Sequence, residues 1–158
     1  MTDSTLRETP QSLAKACANE LFQRDVATQH LGMSLLETDV GVSLITMTVK
    51  DFMLQGHKTC HGGYMFTLAD SAFAFACNTY NKPTVALGCS IDYIAPAFEG
   101  DVLSARCIEK SRGGRTGNYD VEIHNQDAKL IAIFHGKSYQ VKGQILPSSD
   151  VQISNEKQ

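Results

Sequence analysis

Polar and apolar positions change their period twice along this chain. Leu13, Ala16, Cys17 and Leu21 recur at helical spacing, and Pro10 suits a first helical position, so a helix is expected from there. From Met33 the texture turns rich in Thr, Val and Ile. Leu36 and Thr38, a turn near Asp39-Val40-Gly41, then Leu44, Thr46 and Thr48 read as a two-stranded hairpin. A loop from Asp51 to Cys60 leads into a second, far more apolar helix over Gly62 to Thr79, which Asn81-Lys82-Pro83 stops. Strands follow: Thr84 to Ile94, ended by Pro96; Asp101 to Lys110, running to a Gly113-Gly114 turn; Gly117 to His124; and Lys129 to Val141. Tyr119, Val121 and Ile123 alternate with Asp120, Glu122 and His124, which leaves that strand one wet face. One long helix with an antiparallel sheet of five to six strands is an α+β layout.

Composition narrows the class. The 158 residues, 42% of them hydrophobic, make one domain with a real core. We place the folded domain at residues 10–141, between a flexible stretch at 1–9 and a polar tail at 142–158 that is expected to be disordered. A net charge of -3 and a pI of about 5.9 offer nothing to nucleic acid or an anionic membrane surface. Cys17, Cys60, Cys77, Cys89 and Cys107 are odd in number and share no motif spacing, as reduced thiols of a cytoplasmic protein would. Met1 to Glu8 is polar and lacks the apolar region of a secretory signal, and the run from Ala72 to Cys77 is far too short to span a membrane.

The chemistry gathers in His61-Gly62-Gly63-Tyr64-Met65-Phe66-Thr67-Leu68-Ala69-Asp70. Between Thr59 and Asn81, Asp70 is the only Asp, Glu, Lys or Arg. Burying such a carboxylate without a partner costs several kcal/mol or raises its pKa. A perturbed carboxylate near a helix start rich in free N–H groups is what acyl transfer needs. The plainer alternative is a helix whose Asp70 faces water.

His61-Gly62-Gly63, Phe66, Ala69-Asp70, Ala72 and Ala76, followed by Ile91-Asp92-Tyr93-Ile94-Ala95-Pro96, Gly100-Asp101 and Gly117-Asn118-Tyr119-Asp120-Val121-Glu122-Ile123, resemble the signature of hot-dog-fold thioesterases. The match is nearest the PaaI-type branch, the phenylacetic-acid-degradation thioesterases, and spans roughly residues 13 to 141. The resemblance implies a sheet curled around the central helix and hydrolysis of an acyl-CoA, phenylacetyl-CoA or hydroxyphenylacetyl-CoA, with coenzyme A part of the substrate and no separate cofactor. It also implies a dimer paired into a tetramer. Alternatives are a medium- or short-chain acyl-CoA thioesterase and a non-catalytic acyl-CoA-binding module.

Roles follow from chemistry. Gly62 and Gly63 allow a close approach to a ligand, and at a helix start their N–H groups and the macrodipole favour negative charge, so Gly62 N–H is assigned the oxyanion. His61 orients the thioester or caps the helix. Asp70 is general base or nucleophile. Eight residues of helix separate Gly62 from Asp70 by roughly 12 Å, too far for one carbonyl, so a second subunit must supply one of them. Tyr64 and Phe66 flank the site in sequence, and Lys110, Arg112, Gly113, Gly114 and Arg115 offer cations and an anion-binding turn for CoA phosphates. Two positions depart from the family pattern: Gln55 stands where many relatives carry Asn, and Arg24 where some carry a smaller polar residue. His57, Cys60 and His61 space like metal ligands without a fourth, Cys60 beside two histidines invites a nucleophile reading, and Asp25 to His30 has hydratase spacing. No metal is assigned.

Overall fold

Thr9 sets the first helix. Its hydroxyl accepts from Ser12 N–H, the Ser12 hydroxyl accepts in return from Thr9 N–H, and Pro10 takes the position whose missing donor is harmless. The structure is a computed structural model that describes residues 9–147. The expectations for residues 1–8 and 148–158 lie outside them.

Helix α1 (Pro10–Arg24) gives way at Asp25 to a one-turn helix α2 (Val26–His30), which the residue pattern did not announce. Strands β1 (Ser34–Asp39) and β2 (Val42–Thr48) form the expected hairpin, turned at Gly41 with φ +68°. Helix α3 spans Gly62–Cys77. Strands β3 (Thr84–Tyr93), β4 (Val102–Gly113), β5 (Thr116–His124) and β6 (Leu130–Gln140) complete a six-stranded antiparallel sheet in the order β1-β2-β4-β5-β6-β3.

The sheet wraps α3. Leu68, Ala69, Ala72, Phe73, Phe75 and Ala76 are buried against Ile45, Met47, Leu103, Ala105, Val121, Ile123 and Phe134. In β5 the alternation holds as read, with Tyr119, Val121 and Ile123 inside. In β2 Ser43, Ile45 and Met47 are buried, while Leu44 and Thr46 are half-exposed and Thr48 exposed on the outer side. A serine is admissible inside because its hydroxyl donates to the Ala72 carbonyl at 2.6 Å. Helix α3 stops two residues short of Thr79. Asn78 is the cause, since its amide donates to the carbonyls of Ala74 and Thr84 and accepts from Thr84 N–H.

Order continues past residue 141. Ile145 is buried, the N–H groups of Ile145 and Leu146 both donate to Asn81 Oδ1, and the Ile145 carbonyl accepts from Arg24. The strand β3 lies at the end of the sheet with one edge unpaired among the described residues, and Val85, Leu87 and Tyr93 on it are more than half exposed.

Candidate active site

Helix α3 begins at a residue that is not itself helical. His61, with φ -63° and ψ 132°, is its N-cap, and its Nδ1 accepts from Gly63 N–H at 2.9 Å. The His61 carbonyl accepts from Tyr64 N–H at 3.0 Å. Of the first three amides of the helix, only Gly62 N–H is left without a hydrogen-bond partner among the described residues. Because Nδ1 accepts, the proton of the neutral imidazole sits on Nε2. His61 therefore has one face fixed by the helix and the other free.

Gly62 must be glycine for a reason outside its own backbone. Tyr93, at the end of β3, donates its hydroxyl to the Gly62 carbonyl at 2.9 Å, and a Cβ on Gly62 would sit 2.6 Å from Tyr93 Cζ. Gln55, Thr59, Cys60, Met65 and Tyr93 line a shallow groove with Gly62. Tyr64 turns to Phe52, ring centroids 6.0 Å apart, at the same helix end. Phe66 goes elsewhere. It lies edge-on to Phe134 at 5.4 Å, on the side of α3 that meets the core.

Gln55 is on the groove wall, and both ends of its amide are engaged. Nε2 donates to Thr59 Oγ1 at 2.6 Å and Oε1 accepts from His57 N–H at 2.7 Å, which pins the loop ahead of His61. Cys60 is buried, its thiol donates to the His61 carbonyl, and burial with the nearby Asp101 pushes its pKa up to about 11. A thiol so protonated is no nucleophile.

Asp70 lies on the other side of the problem. It does not line the Gly62 groove of its own chain. It is half-buried, and among the described residues it has no hydrogen bond or ion pair. Burial raises its pKa above the ordinary carboxylate value, and the charge of Asp25 adds to the rise. Burial raises the thiols of Cys77 and of Cys89, the latter in the middle of β3, and the charge of Asp70 adds to both.

The basic turn splits in two. Arg112 stacks over Tyr80, 3.8 Å from guanidinium carbon to ring centroid, and the Tyr80 hydroxyl donates to Glu109. Arg115 faces a different groove with Leu13, Lys82, Gln140 and Lys142. Gly113 ends β4 and Gly114 carries the left-handed φ of +57° that turns the chain. Arg24 is not a free cation, since it pairs with Glu20 and donates to the Ile145 carbonyl. Asp25 and His30 bracket α2, with Asp25 as its N-cap. Tyr93 and Phe52 are the site residues that residue reading left without a role. Tyr93 had a signal, its place in the Ile91-to-Pro96 motif; Phe52 had none.

The family model of the thioesterase superfamily matches residues 57–132. The acyl-coenzyme A thioesterase PaaI of Escherichia coli (strain K12) is 44% identical over 128 residues, covering 81% of this chain and 91% of that protein. The solved structure of the E. coli PaaI protein from the phenylacetic acid degradation operon superposes with a TM-score of 0.85 at 41% identity, over 86% of this chain and 99% of that one. A mutant of the phenylacetic acid degradation protein PaaI from Thermus thermophilus superposes with a TM-score of 0.71 at 38% identity, over 74% of this chain and 100% of that one.

Proposed function

The chain belongs to the thioesterase superfamily, with a hot-dog fold of the PaaI type, and from that premise we propose that it hydrolyses phenylacetyl-CoA or its ring-hydroxylated relatives to the free acid and CoA. The observation that carries the reading is the pairing of one unsatisfied amide, Gly62 N–H, with one unpartnered carboxylate, Asp70, on a single helix.

In this reading the thioester carbonyl oxygen rests on Gly62 N–H at the positive end of α3. Asp70 takes a proton from water as its oxygen attacks the carbonyl carbon. The tetrahedral oxyanion then collapses, the C–S bond breaks, and the leaving thiolate recovers the proton from Asp70. Attack by Asp70 itself through an anhydride is the variant within the same site. His61 orients the thioester in this reading, with Nε2–H as the ring position that the helix cap does not use. Gln55 and Gly63 act indirectly, through the loop and the cap they complete.

The two groups belong to different subunits. Tyr93 marks the Gly62 end of β3, and Asp70, two turns further along α3, acts on Cys89 in the middle of that strand. Antiparallel pairing of the free β3 edge with that of a second copy would set the partner's Asp70 against this Gly62 and cover the exposed Val85, Leu87 and Tyr93. It would also bring the partner's Arg115, Lys82 and Lys142 toward the same mouth. Within one chain those cations lie beyond the far end of a ten-residue strand, roughly 30 Å from Gly62 at 3.3 Å per residue. They suit CoA phosphates, while Arg112 is committed to Tyr80. The rings of Phe52, Tyr64 and Tyr93 around the Gly62 end favour an aryl-acetyl group. Two such dimers make a tetramer in this reading.

Thiol release from phenylacetyl-CoA tests the assignment. Release by the native protein that follows dimer concentration on dilution supports it; full activity in a monomer, or faster turnover of a straight-chain acyl-CoA, overturns the shared site or the substrate respectively.

A further inference from the structure

The junction between α1 and α2 does more than end a helix. Asp25 accepts Thr28 N–H on Oδ1 at 2.9 Å, and its own N–H donates to the Phe22 carbonyl, so its carboxylate is fixed in place. Thr28, itself buried, sets its hydroxyl 3.3 Å from that of Ser71, the buried residue next to Asp70. Phe22 packs on Phe75 one turn further along, ring centroids 6.0 Å apart. Two contacts thus clamp the Asp25 corner onto α3, one at Ser71, next to Asp70 in the chain, and one at Phe75.

We propose that Asp25 is a positioning residue for the reaction: its fixed carboxylate, held against α3 by the contact of Thr28 with Ser71, acts through space on Asp70 as the base. The inference rests on the assignment of Asp70 as the base. Two carboxylates held close cannot both carry charge freely, and a hydrogen bond to the charged form decides which one yields. Asp25 has that hydrogen bond, from Thr28 N–H. Asp70 has none among the described residues, so the repulsion falls on Asp70. The other titratable groups near Asp70 are Cys77 on its own helix and Cys89 on β3. Both are thiols raised by burial, Cys77 to about 12, and are uncharged at neutral pH. Beyond burial, Asp25 is the charge that adds to the rise at Asp70.

The test exploits helix capping. Asn caps a helix about as well as Asp, so Asp25→Asn keeps the α2 cap and removes only the charge. The Asp70 carboxyl is titrated by carbon-13 NMR in the native dimer, in Asp25→Asn and in Asp25→Glu, alongside the pH profile of kcat/KM for phenylacetyl-CoA. We expect the midpoint and the acid limb to fall together in Asp25→Asn by about half a pH unit, so that below the limb the variant keeps about threefold more of its plateau rate than the native protein does. Asp25→Glu, which restores the charge, should return both toward native. An unmoved midpoint in a folded Asp25→Asn dimer overturns the proposal. A midpoint that falls while the acid limb stays retains the pairing and overturns Asp70 as the base that limits the rate.

Discussion

The first turn of α3 and its middle are opposite kinds of place. At the first turn nearly every polar group is satisfied: Gly63 N–H by the His61 ring, Tyr64 N–H by the His61 carbonyl, the Gly62 carbonyl by Tyr93. One donor, Gly62 N–H, is left over. Two turns on, Asp70 has neither donor nor cation among the described residues, and it is half-buried with the charge of Asp25 adding to the rise of its pKa. The first region is poised because its neighbours are locked, which keeps the free amide aimed without reorganisation. The second is poised because it is uncomfortable, which is what a base requires. Substitution should therefore cost the first region geometry and relieve the second.

Asp70→Asn is the sharpest test and carries the largest effect. Turnover should drop about 100- to 10,000-fold, the range for loss of a general base, with assembly intact. Stability should move the other way. The folded-state pKa of Asp70 lies above its unfolded value, so between the two the native chain binds more protons than the unfolded one. Stability then falls as pH rises through that window, and the full cost is present once the pH is above the folded-state value. Asp70→Asn removes it, and the melting temperature at pH 7 should match or exceed that of the native protein. A less stable Asn variant would show that Asp70 has a favourable partner and that the contrast between the two regions is false.

Gly62→Ala comes next. A methyl there meets the Tyr93 ring at 2.6 Å and crowds the approach to the free amide, and loss of one oxyanion donor costs about 100- to 1,000-fold in kcat. Pairing Gly62→Ala with Tyr93→Leu separates the causes. Recovery on removing the ring makes the clash the fault; no recovery makes it the approach.

The residues that were legible in the chain and those that were not divide along the same line. His61, Gly62 and Asp70 stood out because each breaks a local rule: a glycine pair opening a helix, a charge inside an apolar run. The strands were legible from alternation where one face is plainly wet, as in β5. In β2 the alternation of Leu44, Thr46 and Thr48 marked a strand but not which face turns inward, and a serine inside is only sensible once the Ala72 carbonyl is known to face it. The same blindness hid α2, Tyr93 and the docking of Ile145 on Asn81 and Arg24. Each depends on a partner 30 or more residues away, or, for α2, on a clamp from Thr28 to Ser71. The split between Arg112 and Arg115 belongs here too, since only Tyr80 distinguishes them.

His61→Ala should have a smaller effect than either change above and a mixed one. The cap hydrogen bond to Gly63 N–H is lost, at about 0.5–2 kcal/mol of stability, and a second free amide appears beside Gly62. His61→Ser can restore the cap but not Nε2–H. If kcat returns with Ser, the ring serves the helix; if stability returns and kcat does not, the ring serves the thioester. Thermal melts and initial rates on the two variants read the two quantities separately.

The smallest expected effect comes from Tyr93→Phe, and it bears most directly on why the first turn stays rigid. The hydroxyl donates to the Gly62 carbonyl, which already accepts within the helix, so its loss strands no buried group. Tyr93 is half exposed, and a neutral hydrogen bond there is worth about 0.5–1.5 kcal/mol at most. The phenyl ring remains where a Gly62 side chain would be, so the groove keeps its wall. We therefore expect kcat within a few-fold of native and KM moved more than kcat, because the ring lines the groove proposed for the substrate and its hydroxyl binds the Gly62 carbonyl, not the amide. A loss approaching that of Gly62→Ala would mean that the Tyr93 hydroxyl holds the peptide unit of Gly62 in line. The rigidity of the helix start would then come from β3, and so from the sheet edge at which we propose that a second subunit pairs.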